Sequence, residues 1–258
     1  MLRALFGPPE NMPYSVTLSR RVRFTRALCR AFGRFVMFKI VYRLKASGLE
    51  KIPTEGPVIL LFNHVTLLDP MILLCWINSR DAVALGKVEL MNSLFTALVA
   101  WAWGTILVRR GEVDRTALKK CLGVINSKEE MLLIAPEGHR HREGLGNPME
   151  GAAMLANQTG ASIVPIGVSG AEVTFQNWRR LRRTDLSIHV GDGFRLKPGV
   201  SRRDYGLAAQ EMMYRLSPLV APGLRGDYAD LSEATMQTIE LVNSPMIIAQ
   251  PSLQADQA

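Results

Sequence analysis

Cysteine is scarce in this sequence, and the spacing of the few cysteines limits the class of protein. Among 258 residues only Cys29, Cys75 and Cys121 occur; they lie far apart and form no CxxC pair. A small disulfide-stabilised domain would need an even number of cysteines at shorter spacings, so that class is excluded. The simplest interpretation is an intracellular protein whose thiols stay reduced.

Long apolar runs are also nearly absent. The first apolar stretch is short and is followed by Pro8 and Pro9, so no secretory signal is predicted. One run, residues 90–108, has 19 residues without a charge and reaches the length of a membrane span. Because it contains Asn92, Ser93 and a glycine and ends in β-branched residues, it favours an apolar helix, facing lipid or core, followed by a buried strand.

Acidic residues are scarce at the amino-terminal end. Residues 1–50 hold ten Lys or Arg and two acidic residues, whereas the remainder holds 21 of each, so the net charge of +8 lies in the first fifth of the chain. A local excess of this kind indicates an anionic partner, either a lipid surface or a nucleic acid. Nucleic acid is not expected, because the basic segment has no aromatic stacking platform and no recognition motif.

The same basic segment has helical periodicity. Between residues 18 and 44 apolar residues recur at intervals of three or four, or close to that, with arginines between them. This pattern predicts one or two basic amphipathic helices. Two interpretations stay open from the residues alone: the helix lies on a membrane, or it packs on its own domain. With the site chemistry below, residues 1–47 are assigned as a basic amphipathic membrane-association segment.

Beyond residue 48, short apolar runs alternate with longer helical patterns. Such alternation predicts an α/β domain, residues 48–230, with a mostly parallel central sheet that helices flank on both faces. The predicted strands are 58–62, 82–85, 105–108, 131–135, 163–168 and 186–190, and the predicted helices are 71–77, 113–126, 151–159 and 205–219. The last part of residues 231–258 contains two prolines, Pro245 and Pro251, and shows little periodicity. Residues 231–258 are therefore predicted to be a C-terminal tail.

The segment NHVTLLDP, residues 63–70, directly follows the first of these predicted strands. His64 is therefore expected at the carboxyl end of a parallel strand, where α/β folds bind ligands. His64 and Asp69 would not share one face of a continuous helix, but Pro70 favours a bend before it, with Asp69 as the helix cap. The carboxylate then meets the imidazole and orients it as a general base. The alternative is a helix cap with no catalytic role.

Two further predicted strands end in arginines. Residues 104–111, GTILVRRG, end in Arg109 and Arg110, and residues 135–142, APEGHRHR, contain Arg140. Because the carboxyl ends of parallel strands share one edge of a sheet, these guanidinium groups are expected near His64. Arginine binds phosphate in a bidentate manner, so the three loops together predict a phosphate-binding site. Taken singly, either arginine loop indicates only surface salt bridges.

In this order and spacing, the motifs N-H-x4-D-P, G-x-I-x-V-x-R, P-E-G-x-R and V-P-I resemble the four motif blocks of the glycerolipid acyltransferase family. The best-known members of that family are the 1-acylglycerol-3-phosphate acyltransferases, and the match runs from about residue 48 to residue 170. The resemblance implies transfer of a fatty acyl group from acyl-CoA or acyl-carrier protein to a lysophosphatidic-acid-like acceptor in phospholipid biosynthesis. It implies no metal ion and no bound cofactor.

The resemblance also assigns roles to residues. His64 would be the general base and Asp69 its orienting partner, with backbone amides at the start of the following helix near the oxyanion. The substrate-binding residues that it implies are Asn63, Gly104, Arg110, Glu137, Gly138, Arg140 and Pro165. With the basic amino terminus, and with Trp101 and Trp103 expected at headgroup level, it predicts a peripheral or monotopic protein on the cytoplasmic face of a membrane.

Several positions depart from the family pattern. Ala135 stands where Phe is usual, and His139 and His141 flank the arginine where Thr and Ser are usual. These changes alter the polarity around the acceptor pocket, so another lyso-lipid or glycerol 3-phosphate remains open as acceptor. The two histidines have no clear third partner, and a metal site is therefore not predicted.

Alternatives of a different class also remain open. Residues 167–171, GVSGA, approach the nucleophile elbow of a serine esterase, with Asp185 and His189 downstream, although the last position is Ala. A non-catalytic lipid-binding module would use the basic amino terminus without turnover. Trp178 lies beside a second basic cluster, residues 179–183, which is interpreted as a solvated loop face or a headgroup contact.

Overall fold

The computed structural model describes residues 20–109 and 114–242. Its helices are α1 Arg20–Phe35, α2 Asp69–Trp76, α3 Leu94–Trp103, α4 Arg115–Ser127, α5 Gly151–Thr159, α6 Thr174–Arg179 and α7 Tyr205–Leu216. Its strands are β1 Tyr42–Ser47, β2 Val58–Phe62, β3 Asp81–Lys87, β4 Ile106–Val108, β5 Glu130–Ile134, β6 Ser162–Ser169, β7 Thr184–Val190, β8 Phe194–Leu196 and β9 Ile239–Leu241. A π-helix, Val36–Val41, joins α1 to β1.

The strands form one sheet in the order β1-β7-β6-β2-β5-β3-β4, with β8 pairing β6 and β9. Strands β6, β2, β5, β3 and β4 run parallel to one another, whereas β7 runs antiparallel to β6 and carries β1 parallel to itself. The predicted fold class, a mostly parallel α/β sheet flanked by helices, is confirmed. The carboxyl ends of β2, β3, β4, β5 and β6 consequently lie along one edge, which we call the carboxyl edge.

Strand β2 separates two apolar layers. Its five residues are all buried; Val58, Leu60 and Phe62 belong to the cluster beneath α2 and α3, and Ile59 and Leu61 to the cluster beneath α4, α5 and α7. Successive side chains of a strand point to opposite faces, so a continuous apolar run is what a strand covered on both faces requires. The core therefore fixes β2, and with it the loop that follows, at the centre of the sheet.

The structure corrects the predicted amino-terminal helices at their carboxyl end. Residues 42–47 form β1, paired with β7 from Tyr42 opposite Thr184 to Ser47 opposite His189. Tyr42 is buried, whereas residues 43–47 are half-buried or exposed, so local periodicity did not reveal this strand. The predicted tail also begins too early, because Ile239–Leu241 is strand β9. Residues 243–258 lie outside the described part of the chain.

Helix α1 packs on the domain with its less apolar side. Cys29 packs against the core, and Gly33 lies against Cys75 and Trp103. Its apolar side points away from the protein, with the exposed residues Phe24, Leu28, Phe32 and Phe35 at helical spacing. The helix thus buries the face that helices in soluble proteins usually expose, and exposes the face that they usually bury.

The apolar run at 90–108 forms helix α3 followed by strand β4, as predicted. Over the two described stretches of the chain, no helix is both long enough and apolar enough to cross a membrane. The expectation that Trp103 lies at headgroup level is wrong, because its side chain is buried against α1. The exposed apolar residues of α3 are instead Leu94, Phe95 and Leu98.

Candidate active site

The loop between β2 and α2 is organised by the carboxylate of Asp69. Oδ2 accepts hydrogen bonds from the backbone amides of Val65 (2.7 Å) and Thr66 (2.6 Å), and Oδ1 accepts one from the Thr66 hydroxyl (2.6 Å). Only 1% of Asp69 is exposed. A buried carboxylate needs partners of this kind, and here the partners fix the path of the backbone immediately after His64.

The predicted meeting of His64 and Asp69 is confirmed. His64 Nδ1 lies 3.2 Å from Asp69 Oδ2, and 17% of the His64 side chain is exposed. Because the carboxylate is an acceptor, Nδ1 carries the proton and Nε2 keeps the basic lone pair in the neutral ring. An imidazole held in this way is able to act as a general base through Nε2.

The predicted capping role of Asp69 is wrong in its detail. Helix α2 begins at Asp69 itself with Pro70 in its first turn, and the carboxylate turns back toward residues 64–66. The backbone amides near the helix start are also largely engaged: those of Val65 and Thr66 donate to Asp69, and that of Leu68 donates to the Thr66 hydroxyl at 3.2 Å. These three amides therefore do not serve as oxyanion donors.

Asn63 anchors the loop to the neighbouring strand. Its Nδ2 donates to the carbonyl of Val168 at 2.9 Å, and its Oδ1 accepts from the amide of Val168 at 2.8 Å. The side chain is buried and both of its polar groups are satisfied by β6. Asn63 thus positions the end of β2, and its contact with substrate stays a prediction.

Glu137, in the loop after β5, is buried beneath the loop that joins β2 to α2 and contacts it. Its two oxygens accept from the backbone amides of His64 (3.3 Å) and Gly146 (3.4 Å), and only 1% of the residue is exposed. Burial raises the pKa of Glu137 to about 7; the two amides oppose this shift and the charge of Asp69 adds to it. Glu137 thus bridges the loop between β2 and α2 to Gly146, and its contact with substrate stays a prediction.

The loop at 138–142 brings basic side chains to the cavity that His64 lines. The amide of His141 donates to the carbonyl of His64 at 2.8 Å, so the two loops are joined through their backbones. The rings of His139 and His141 lie 5.0 Å apart between centroids. Gly138 has φ +68°, and a Cβ there would lie 2.3 Å from the sulfur of Met149, so a side chain at this position is disfavoured twice.

One cavity of about 1180 Å³ joins these parts at the carboxyl edge. His64 lies on its wall, and the basic residues Lys87, Arg109, His139, Arg140, His141 and Arg142 line it together with the acidic residues Asp114, Glu143 and Glu150. Its apolar walls come from α2 and α3 on one side, for example Met71 and Val99, and from α4 and α5 on the other, for example Leu118 and Leu155. A cavity with cationic and apolar regions fits an amphipathic anion.

Of the remaining predicted residues, Gly104 and Pro165 do not line the cavity, and Arg110 is not among the residues that the structure describes. Gly104 adopts φ 64° and ends α3, where its amide donates to the carbonyl of Trp101. Pro165 lies within β6 opposite Leu61, at the point where the partner of β6 changes from β8 to β7. A proline, which has no amide hydrogen, fits a break in strand pairing. Arg110 lies outside the described residues, and its role stays a prediction.

The serine-esterase alternative is contradicted by the geometry. The Ser169 hydroxyl accepts from the amide of Ala221 at 2.9 Å, and His189 Nδ1 lies 2.9 Å from the Ser47 hydroxyl. Asp185 pairs with Arg43. The three residues thus form no triad. Throughout 20–109 and 114–242, no group of three or more His, Cys, Asp or Glu side chains is placed to hold a metal ion.

Sequence reasoning missed the residues that hold the site together. Thr66 was a spacer in the motif, yet its hydroxyl bonds Asp69. Gly146 passes so close to the His141 ring that a Cβ would lie 2.6 Å from Nε2. A hydroxyl three residues before an aspartate is a recognisable local signal. The close approach at Gly146 has no signal in the sequence, because it depends on two segments that meet only in the fold.

Comparison with known proteins agrees with this geometry. Residues 43–169 match the family model described as Acyltransferase. The chain is 28% identical over 146 residues to a 1-acyl-sn-glycerol-3-phosphate acyltransferase of Borreliella burgdorferi, covering 56% of this chain and 58% of the relative. It is 29% identical over 142 residues to the chloroplastic 1-acyl-sn-glycerol-3-phosphate acyltransferase of Arabidopsis thaliana, covering 50% and 36%. The chain thus spans less than two thirds of each of these relatives.

A solved structure shares the fold. The crystal structure of PlsC, the 1-acyl-sn-glycerophosphate acyltransferase of Thermotoga maritima, aligns with a TM-score of 0.54 at 16% identity, covering 76% of this chain and 81% of that one. At this identity the likeness concerns the fold alone.

The domain at residues 43–169 therefore belongs to the acyltransferase family, whose motif blocks the sequence resembles. The two curated relatives named above are both 1-acyl-sn-glycerol-3-phosphate acyltransferases. The resemblance predicted from the motifs is confirmed.

Glu137 makes stability depend on pH. Its pKa rises from the usual 4.5 to about 7 on folding, so between these values the folded protein holds a proton that the unfolded chain has lost. Stability therefore falls as pH rises through this window, by on the order of 3 kcal/mol. Glu137→Gln stays neutral and should lose this component, which urea unfolding of both proteins at pH 4.5, 6 and 8 would measure. A stability difference between them that does not change with pH would contradict the assignment.

Proposed function

We propose that the chain transfers a fatty acyl group from a thioester, acyl-CoA or acyl-carrier protein, to the free hydroxyl of a lysophosphatidic-acid-like acceptor in phospholipid biosynthesis. The observation that carries the proposal is the His64–Asp69 pair on the wall of a cavity that is also lined by arginines and by many apolar side chains. In such an acceptor the phosphate would contact the arginines, the free hydroxyl would face His64, and the acyl chain would lie along the apolar walls.

The reaction follows from the oriented imidazole. His64 Nε2 takes the proton of the acceptor hydroxyl as its oxygen attacks the thioester carbonyl. The new carbon–oxygen bond forms and the carbon–sulfur bond breaks, and the thiolate that leaves takes the proton from the imidazolium. Asp69 fixes the tautomer of the ring and stabilises its positive charge during this step. No metal ion or bound cofactor is needed for any part of the transfer.

The arginines that line the cavity would orient the acceptor. Arg140 and Arg109 both line the cavity together with His64, and guanidinium groups bind phosphate oxygens in pairs. Holding the phosphate places the hydroxyl within reach of the imidazole, which is worth several orders of magnitude in rate when the geometry is right. His139 and His141 add donors around the same headgroup.

Replacing His64 tests the chemistry. His64→Ala should lower kcat by roughly 10³-fold, because the base is removed while the cavity remains. The measurement is the formation of radiolabelled phosphatidic acid from lysophosphatidic acid with either acyl donor. His189→Ala is the matched control, since His189 is exposed on β7 and bonds only Ser47 among the contacts described. Near-normal turnover by His64→Ala would overturn the mechanism, and no turnover by the parent protein would favour a lipid-binding module.

Replacing Arg140 tests the acceptor. Arg140→Ala should raise KM for lysophosphatidic acid by about tenfold, equivalent to one lost charge-assisted contact, and leave KM for the acyl donor nearly unchanged. The effect should shrink with monoacylglycerol, which has no phosphate. Arg195→Ala serves as control, because Arg195 pairs with Glu240 on the far strands. An equal effect on both acceptors would show that Arg140 does not contact the phosphate.

We further propose a peripheral position on a membrane, on its cytoplasmic face. The outward apolar side of α1, with Phe32 70% exposed, suits insertion at the level of the headgroups. The exposed residues of α3 extend this surface to the cavity, because Phe95 both lines the cavity and reaches solvent. An acceptor could then enter the site directly from the lipid layer.

The outward side of α1 can be tested by substitution. Leu28→Ser/Phe32→Ser should weaken partitioning onto vesicles by about tenfold or more, because two apolar side chains lose their burial in lipid. Flotation with vesicles that contain phosphatidylglycerol measures this. Leu231→Ser/Met236→Ser is the matched control, since both residues are partly exposed away from α1 and α3. Equal partitioning of the two variants would contradict the proposal.

A further inference from the structure

A second group of exposed apolar residues lies at the opposite end of the carboxyl edge. Phe175 and Trp178 of α6 are 52% and 66% exposed, and Leu181 in the turn that follows is 93% exposed. The two rings lie 6.4 Å apart between centroids. We call residues 174–183 the α6 turn. Exposed apolar residues scattered singly need no explanation, but three within seven residues on one ordered turn do.

The α6 turn is held rigidly. The Thr174 hydroxyl donates to the carbonyl of Ala171 at 2.6 Å and lies 3.0 Å from the hydroxyl of Tyr42. Asn177 Nδ2 donates to the Thr184 hydroxyl at 3.2 Å. The backbone amides of three turn residues, Arg180, Leu181 and Arg182, donate to carbonyls within the turn. The apolar side chains are therefore displayed by a fixed backbone.

Leu181 adopts an unfavourable backbone conformation, and no packing contact compensates for its energetic cost. Its φ is +52°, in the left-handed region that costs a residue with a Cβ about 1 kcal/mol. A leucine nearly free of protein contact recovers none of this by packing, and glycine or asparagine would fit the turn better. A strained, exposed apolar residue indicates that the side chain is used outside the folded chain.

The turn is also basic. Arg179, Arg180 and Arg182 are exposed, and no acidic residue occurs between residues 174 and 183. Arg183 instead donates to the carbonyl of Phe38 at 3.0 Å and to that of Tyr42. A tryptophan and a leucine ringed by arginines match the interface of an anionic bilayer, where the rings enter the headgroup layer and the guanidinium groups meet phosphates.

The topology places this turn in line with the surface proposed for α1 and α3. In the sheet order, β2 with His64 lies between β6, β7 and β1 on one side and β5, β3 and β4 on the other. The α6 turn follows the carboxyl end of β6, and α3 follows that of β3. The Arg183 contacts join the turn to the π-helix after α1, where Ile40 is 56% exposed. The two apolar groups thus lie on either side of the loop after β2 that carries His64.

We propose that the α6 turn is a second bilayer contact, specific for anionic phospholipid, that with α1 and α3 sets the cavity mouth against the lipid surface. This inference rests on the membrane position proposed above and adds a particular site to it. Three contacts fix the tilt of a protein on a surface, whereas one helix leaves it free to rotate about the helix axis.

An environment-sensitive nitrobenzoxadiazole probe on single cysteines tests the contact in the full chain. The background is Cys29→Ser, because Cys75 and Cys121 are buried. Probes are placed by Leu181→Cys on the turn, Phe32→Cys on α1 and Leu241→Cys on β9 at the far side of the sheet. With vesicles containing phosphatidylglycerol, the probes at 181 and 32 should gain intensity about twofold or more and shift to the blue, and the probe at 241 should not.

The outcomes are distinct. A response at 32 without one at 181 overturns this inference and leaves the membrane position intact. Silence at both positions overturns the two together, and acyl transfer measured in detergent micelles shows separately whether the proposed chemistry stands.

Replacing the side chains tests the energetic role of the turn. Trp178→Ser/Leu181→Ser should weaken partitioning onto the same vesicles by about tenfold and leave micellar activity unchanged. Arg179→Gln/Arg180→Gln/Arg182→Gln should weaken partitioning onto anionic vesicles and leave that onto neutral phosphatidylcholine unchanged. Unchanged partitioning in both variants would overturn the proposal and favour a protein partner for the turn.

Discussion

The carboxylate of Asp69 is the constraint on which the site depends. It is buried and must find hydrogen-bond donors, and it finds them in residues 64–66 just before it in the chain. Satisfying one buried charge therefore bends the loop, sets the side chain of His64 and selects its tautomer. Asn63 adds the second anchor by pairing both of its amide groups with Val168. Stability and orientation come here from the same few contacts.

A second constraint comes from the direction of the strands. Parallel strands bring their carboxyl ends to one edge, so loops far apart in the chain meet without a dedicated contact between every pair. Glu137 then bridges two of these loops by accepting amide hydrogens from His64 and Gly146. Burial raises the pKa of this carboxyl to about 7. A group that titrates near neutrality therefore lies directly beneath the loop that carries His64.

Much of the fold and of the site was predictable, for identifiable reasons. Strand β2 and helix α5 have the predicted limits because continuous apolar runs and helical spacing are strong local signals. Strand β1 was missed because most of it is exposed and it pairs with a strand about 140 residues away. Motif position alone predicts that Glu137 and Asn63 contact substrate, but a motif does not show burial. In the fold both side chains are buried beneath the site.

Local patterns in the chain were enough to identify the motifs: a histidine five residues before an aspartate and a proline, two arginine loops after strands, and a basic amphipathic amino terminus. Which faces of these elements are turned outward depends on the folded arrangement. Periodicity shows that α1 has an apolar side, but whether that side meets the core or solvent depends on what Gly33 and Cys29 pack against. A pattern in one segment fixes relative directions within it, whereas burial is a property of two segments together.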